Sequence, residues 1–167
     1  AYNCATTNCP VPELDQSTFY TFDITNKSGL DYQDVFLGNW VDADIGYFAD
    51  DYVGSDSARN LGFTYNGPPF DSAGYGAAPP AIGAVILDSP DDLGMTQIIS
   101  YNNEFNVRGK PENAGLFYQY LKGIWKDGQP MVNNGSTGYP GDGPGPAVQQ
   151  MLGGDPGFCA NTGSTGW

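Results

Sequence analysis

Five aspartates, Asp42, Asp44, Asp50, Asp51 and Asp56, fall within fifteen residues of this chain, and no Lys or Arg lies among them. Two carboxylates held about 4 Å apart repel by about 1 kcal/mol in water and several-fold more near a protein surface. The same stretch contains apolar Ile45, Phe48 and Val53, which draw it toward a folded surface. Such a segment must spread its acids into solvent or acquire a counter-charge. Calcium suits it, since this ion takes six to eight oxygen ligands from carboxylates and carbonyls in irregular geometry. Gly46 and Gly54 would supply positive-φ turns that aim carbonyls inward. The candidate metal ligands are therefore Asp42, Asp44, Asp50, Asp51 and Asp56, with a solvated acidic turn, or magnesium or another ion, as the alternatives. The spacing departs from an EF-hand loop: the glycine falls one place early, and Val53 stands where a bidentate Glu is required.

The charge of the whole chain has the same sign. Nineteen acidic residues, sixteen of them Asp, oppose six basic ones for a net charge of −13, and histidine is absent. Without a basic patch to replace condensed counterions, nucleic acid is excluded as a partner. No apolar run reaches the length of a membrane span, so membrane insertion is not expected. A hydrolase that uses His as its base cannot be built. Glu104 and Glu112 are available as a glycosidase pair, but Glu112 reads more simply as a first-turn helix residue. The expectation is a protein that is not an enzyme.

At 167 residues the chain suits a single domain. Residues 1–16 read as an irregular arm. From Thr18 to Thr25, Tyr20, Phe22 and Ile24 alternate with Phe19, Thr21 and Asp23, the period of a half-buried strand, and Asn26 to Gly29 reads as a turn. Strand patterns recur from Asp34 to Val41, at Leu61, Phe63 and Tyr65, and at Ile98, Ile99 and Tyr101. The run Ala81 to Leu87 is almost wholly apolar and reads as the most buried strand, covered on both faces. Pro111 and Glu112 open one amphipathic helix over about 111–126, with Phe117, Leu121 and Trp125 on its buried stripe. Residues 128–167 hold eleven Gly and five Pro, a segment expected to wrap the module, pinned by Met131, Val132, Met151 and Leu152. The fold expected is mainly β, a β-sandwich or jelly-roll-like module spanning 1–167. Asp88, Asp91 and Asp92 read as a plain turn in preference to a second cation site.

One resemblance is carried by several motifs together. These are Trp40-Val-Asp-Ala-Asp-Ile-Gly46, Ala49-Asp-Asp-Tyr-Val-Gly-Ser-Asp56, Leu61-Gly-Phe-Thr-Tyr-Asn-Gly67, Tyr75-Gly-Ala-Ala-Pro-Pro-Ala-Ile-Gly83, Tyr101-Asn-Asn103, Phe117 to Gly128, and Gly153-Gly-Asp-Pro156. The chain resembles a module of large secreted proteins of Bacteroidetes-type bacteria that leave by type IX secretion. The resemblance implies an extracellular or cell-surface location and a structural, adhesive or filament-forming role, with neighbouring domains or other copies of itself as partners. Two departures stand out: Ser55 occupies a position where such proteins often carry Cys, and the C-terminal sorting domain of those proteins is absent. The latter, with the missing signal-peptide pattern and the start at Ala1, suggests a portion of a larger polypeptide.

Other features have narrower implications. Trp40, Trp125, Trp167 and eleven Tyr could stack on sugars, so a carbohydrate-binding module, or a fragment of a secreted polysaccharide-active enzyme, is the alternative function. In a protein of that bacterial type, Asp56-Ser57-Ala58 and Asp71-Ser72-Ala73 match an O-glycosylation pattern, making Ser57 and Ser72 candidate acceptors. Asn26-Lys27-Ser28 and Asn134-Gly135-Ser136 match the N-glycosylation pattern. Three cysteines leave one odd: Cys4 pairs with Cys9 across a short loop, a closure worth ~2 kcal/mol by loop entropy, or Cys159 ties the termini together. Thiol titration of the denatured, unreduced protein should therefore find a single free thiol, and three free thiols would exclude a disulfide of Cys4.

Overall fold

The computed structural model describes residues 12–101, 103–132 and 138–142. It divides into two compact units, residues 1–35 and 36–167. Cys4, Cys9 and Cys159, Asn134 to Ser136, and the tail with Met151, Leu152 and Trp167 lie outside the described residues.

Within the first unit, a 3-10 turn over Pro12–Gln16 leads into extended chain. The turn read at Asn26 to Gly29 is present. Asn26 Oδ1 accepts the Ser28 amide at 2.9 Å, Ser28 Oγ accepts the Leu30 amide at 3.1 Å, and Gly29 supplies the left-handed residue at φ +73°. The strand expected over residues 18–25 does not form. The segment has no ladder partner among the described residues, and Phe19, Tyr20, Phe22 and Ile24 from both of its faces are exposed. Alternation specifies which face a strand would bury but not what pairs with it. The Asp34 to Val41 stretch also runs without a ladder.

The second unit is built on a three-stranded antiparallel sheet of Asp51–Asp56, Leu61–Asn66 and Ala81–Val85, in that order. β1 (Asp51–Asp56) turns through a 3-10 segment at Ser57–Arg59 into β2 (Leu61–Asn66), which pairs with β5 (Ala81–Val85) on its other side. A two-residue ribbon, β3 (Phe70–Asp71) with β4 (Gly76–Ala77), lies between them in sequence. The described chain is thus mainly β with one helix, and two expectations change. The second half of the acidic segment, read as an ion-binding stretch or a solvated turn, is β1 itself. The apolar run at Ala81 forms β5, yet it is an edge strand and mostly exposed; the central place goes to β2, whose small Gly62 admits Ile98. A Cβ on Gly62 would stand 2.4 Å from the Ile98 side chain. Ile98, Ile99 and Tyr101 form no strand, but they pack against the core.

The helix α1 is shorter than its pattern, running over Ala114–Leu121. Asn113 caps it, its side chain accepting the Leu116 amide at 3.1 Å, so Pro111 and Glu112 stand before the helix. Its end is a Schellman closure: Gly123, at φ +73°, donates to Tyr120 O at 2.9 Å, and Ile124 donates to Gln119 O at 2.9 Å. Trp125 is therefore past the helix, in a tight turn around Asp127-Gly128, and is only 1% exposed. Phe117, expected on the buried stripe, is 47% exposed, and Leu121 is half-buried. Two turns of helix present Tyr120 inward instead. Tyr120, Trp125 and Met131 form the core cluster, with Ile98, Ile99, Tyr101 and Tyr139 packed on it. Met131 and Val132 are buried, as the sequence suggested.

The buried polar tips of this cluster have partners. The Tyr120 hydroxyl donates to Gly109 O at 2.6 Å, and Trp125 Nε1 donates to Gly138 O at 3.0 Å. Burial, with the negative charge of Glu112 adding to it, raises the Tyr120 hydroxyl above its ordinary pKa. Trp125→Ala should cost about 3–5 kcal/mol in urea unfolding, whereas Phe117→Ala should cost about 1 kcal/mol. Equal losses would show that the helix face, not the turn after it, carries the packing.

Candidate functional site

The acidic segment does not gather into one cluster. β1 runs from Asp51 to Asp56, and five steps of roughly 3.3 Å set these two residues about 17 Å apart. Asp56 is instead engaged locally: Arg59 bonds its carboxylate and, chiefly through that contact, holds it below the ordinary range. Asp42 is exposed, and its charge acts on the Tyr101 hydroxyl, which burial pushes up. Asp44, Asp50 and Asp51 remain together at the start of β1. Among the described residues no group of three or more His, Cys, Asp or Glu side chains converges in metal-holding geometry.

Asp51 is the residue around which this end is organised. It is 4% exposed, and its Oδ2 accepts the Ile45 amide at 2.7 Å. Its other oxygen, Oδ1, is buried without a hydrogen-bond partner, and so is Asp50 Oδ1. Desolvation raises the Asp51 carboxyl above its ordinary pKa, the Ile45 amide opposes this, and the negative charges of Asp50, Asp44 and Asp71 push in the same direction as burial. Among the described residues, the groups that shift it include no Lys or Arg.

Two residues of this region were not read as site residues from sequence. Asn66 lies directly opposite Asp51 in the β1–β2 register, so their side chains share a sheet face. That face is unusually polar, with Asp51, Ser55, Thr64 and Asn66 all buried. Asn66 Nδ2 donates to Pro68 O at 2.8 Å, while its Oδ1 is buried without a partner. In sequence, Asn66 opens an Asn-Gly-Pro-Pro run, a turn signal that says nothing of what faces it across the sheet.

The second is Asp71, 1% exposed. Its carboxylate accepts four main-chain N–H groups: Tyr47 at 3.0 Å, Ala73 at 3.0 Å, Gly74 at 2.9 Å and Tyr75 at 2.6 Å. These bonds, the Tyr75 amide foremost, hold it below the ordinary carboxylate range. Asp71 thus ties the β3–β4 turn to the segment before β1. Gly46 is required beneath it: the residue sits at φ +75°, and a Cβ there would stand 1.9 Å from Asp71 Oδ2. Gly54, expected to share the turn-forming role, is instead a buried residue of β1. Ser72 is exposed on the same turn, and the side chain of Ser57 is outside the described set. Asp88 is exposed, and Asp91 and Asp92 occupy the 3-10 turn Pro90–Asp92.

A second feature is a shallow depression of about 230 Å³ lined by Trp40, Tyr101, Asn103, Lys110, Pro111 and Phe117. Trp40 is 67% exposed, and its side chain hydrogen-bonds Tyr101. No helix among the described residues is long and apolar enough to cross a membrane. Comparison with family models, curated proteins and solved structures gave no match.

Because the folded state holds Asp71 below its unfolded pKa, its contribution to stability is complete above the ordinary carboxylate pKa of about 3.9 and is lost as pH falls through the folded value. Asp71→Asn should lower the melting temperature at neutral pH, and the gap from wild type should close as pH falls below the ordinary carboxylate range. A gap that is constant from neutral to acid would show that the charge on Asp71 is not what holds the turn.

Proposed function

We propose that this chain is a non-catalytic extracellular or cell-surface module, structural, adhesive or filament-forming, whose fold is stabilised by calcium. The observation that carries the reading is the pair of buried, partnerless carboxylate oxygens, Asp50 Oδ1 and Asp51 Oδ1, beside Asp44. A buried acceptor without a donor costs about 1–3 kcal/mol, and more if charged. Acceptors alone, all hard oxygens, match the chemistry of calcium. The resemblance to type IX-secreted modules supports the location and the non-enzymatic role. The architecture belongs to the same proposal: β1-β2-β5 is one layer of a sandwich or jelly-roll-like fold in a larger polypeptide. Its edge strands β1 and β5 are the places where neighbouring domains or further copies would pair.

The aromatic depression favours a second reading as a carbohydrate-binding module. An exposed indole with Asn103 and Lys110 nearby offers a stacking face and hydrogen-bond donors for a glycan. Quenching or a blue shift of Trp fluorescence by a polysaccharide, absent in Trp40→Ala, would select this reading over the first.

Calcium adds stability by mass action, ~2.7 kcal/mol when the free ion is a hundredfold above its dissociation constant. Chelation should therefore lower the melting temperature, and added calcium should restore it. A melting curve unmoved by chelator, in protein shown to be metal-free afterwards, would overturn the calcium reading.

A further inference from the structure

The carboxylates alone do not complete a metal site, yet a third partnerless oxygen lies at the same end of the sheet. Asn66 stands opposite Asp51 across β1–β2, is 7% exposed, and presents a buried Oδ1 with no donor. The amide of Asn66 is oriented: with Nδ2 committed to Pro68 O, its oxygen is turned away from that bond. Gly67, the next residue, donates its amide to Asp50 O at 2.8 Å, which fixes the end of β2 against Asp50. Orphaned acceptors from Asp50, Asp51 and Asn66 therefore collect at the one end of the sheet where β1 begins and β2 finishes. An unmet donor among them would have signalled a missing acceptor or water; the three are all acceptors.

We infer that Asn66 Oδ1 is a ligand of a calcium ion held between β1 and β2 by Asp50, Asp51 and Asn66, with Asp44 nearby and Asp42 and Asp56 outside the site. The inference rests on the calcium reading above and assigns its ligands. The ion bridges two paired strands, not the two ends of a loop. The amide supplies oxygen without charge, so the site neutralises the ion less completely than an all-carboxylate cage and binds it with correspondingly moderate strength.

The test is titration of metal-free protein with calcium, and with terbium as a luminescent substitute sensitised by the nearby Tyr47, Tyr52 and Tyr65. Wild type should bind both. Asn66→Ala should lose about tenfold or more in calcium affinity, while Asp56→Asn should keep the wild-type value. Asn66→Asp should melt lower than wild type in chelator, from the added like charge beside Asp51, and should gain more from calcium. Wild-type calcium binding with unchanged affinity in Asn66→Ala would overturn the ligand assignment and leave the calcium reading standing. If Asn66→Ala does not fold, Asn66→Asp decides: a calcium-induced melting shift no larger than that of wild type counts against the assignment. A wild type indifferent to both ions overturns the reading and the assignment together.

Discussion

The Asp71 carboxylate is the interaction on which the acidic end of this molecule depends. Four amides converge on two oxygens, three from its own turn and one from Tyr47. The local bonds close the β3–β4 turn; the distant one anchors the chain that leads into β1. Ile45, two residues before Tyr47, then donates to Asp51, so a second carboxylate continues the same stitching. Gly46 passes between them because no side chain fits against Asp71. Backbone amides converge on this buried negative charge as they do on an anion at a helix N-terminus, except that here the anion belongs to the chain itself.

The two aspartates differ in how fully their lone pairs are used. Asp71 is met by donors on both oxygens, and its ionised form is favoured. Asp51 has one donor and one bare oxygen, among further negative charges, and its ionised form is disfavoured. Identical side chains, 20 residues apart in sequence, are thus shifted in opposite directions. Local satisfaction, not residue type, decides which one has all its lone pairs met and which one keeps a bare oxygen.

Where a pattern depended on local chemistry, the sequence showed the element. Leu61, Phe63 and Tyr65 alternate within β2, and the helix over 114–121 lies inside the apolar stripe read from 111–126. The bounds of the helix were misread because Asn113 and Gly123 act as caps, and caps outrank the stripe. Pairing was far less legible. The most apolar run became an edge strand, since a hydrophobic stretch carries no record of its neighbours. The acidic segment revealed Asp44, Asp50 and Asp51 as neighbours, but linear proximity also drew in Asp56, which a strand carries to the far end of the sheet. Asn66 and Asp71 were hidden because register and turn closure, not spacing, bring them to the site. An Asp followed by Ser-Ala-Gly is itself an Asx-turn pattern, and that signal could have marked Asp71.

The β1–β2 register has a kinetic consequence. Asp44, Asp50, Asp51 and Asn66 all belong to one hairpin and its lead-in, so bringing them together closes only a short loop, at little entropic cost. Pairing of β2 with β5 must close over the β3–β4 ribbon, and packing of the Trp125 cluster against Ile98 spans more chain still. Short-range contacts form before long-range ones become affordable. The hairpin can therefore nucleate while the remainder is unfolded, and an ion bound there would act on the rate of folding as well as on its equilibrium. Folding would then spread from this end of the sheet outward, with the strand pairing set before the aromatic cluster closes.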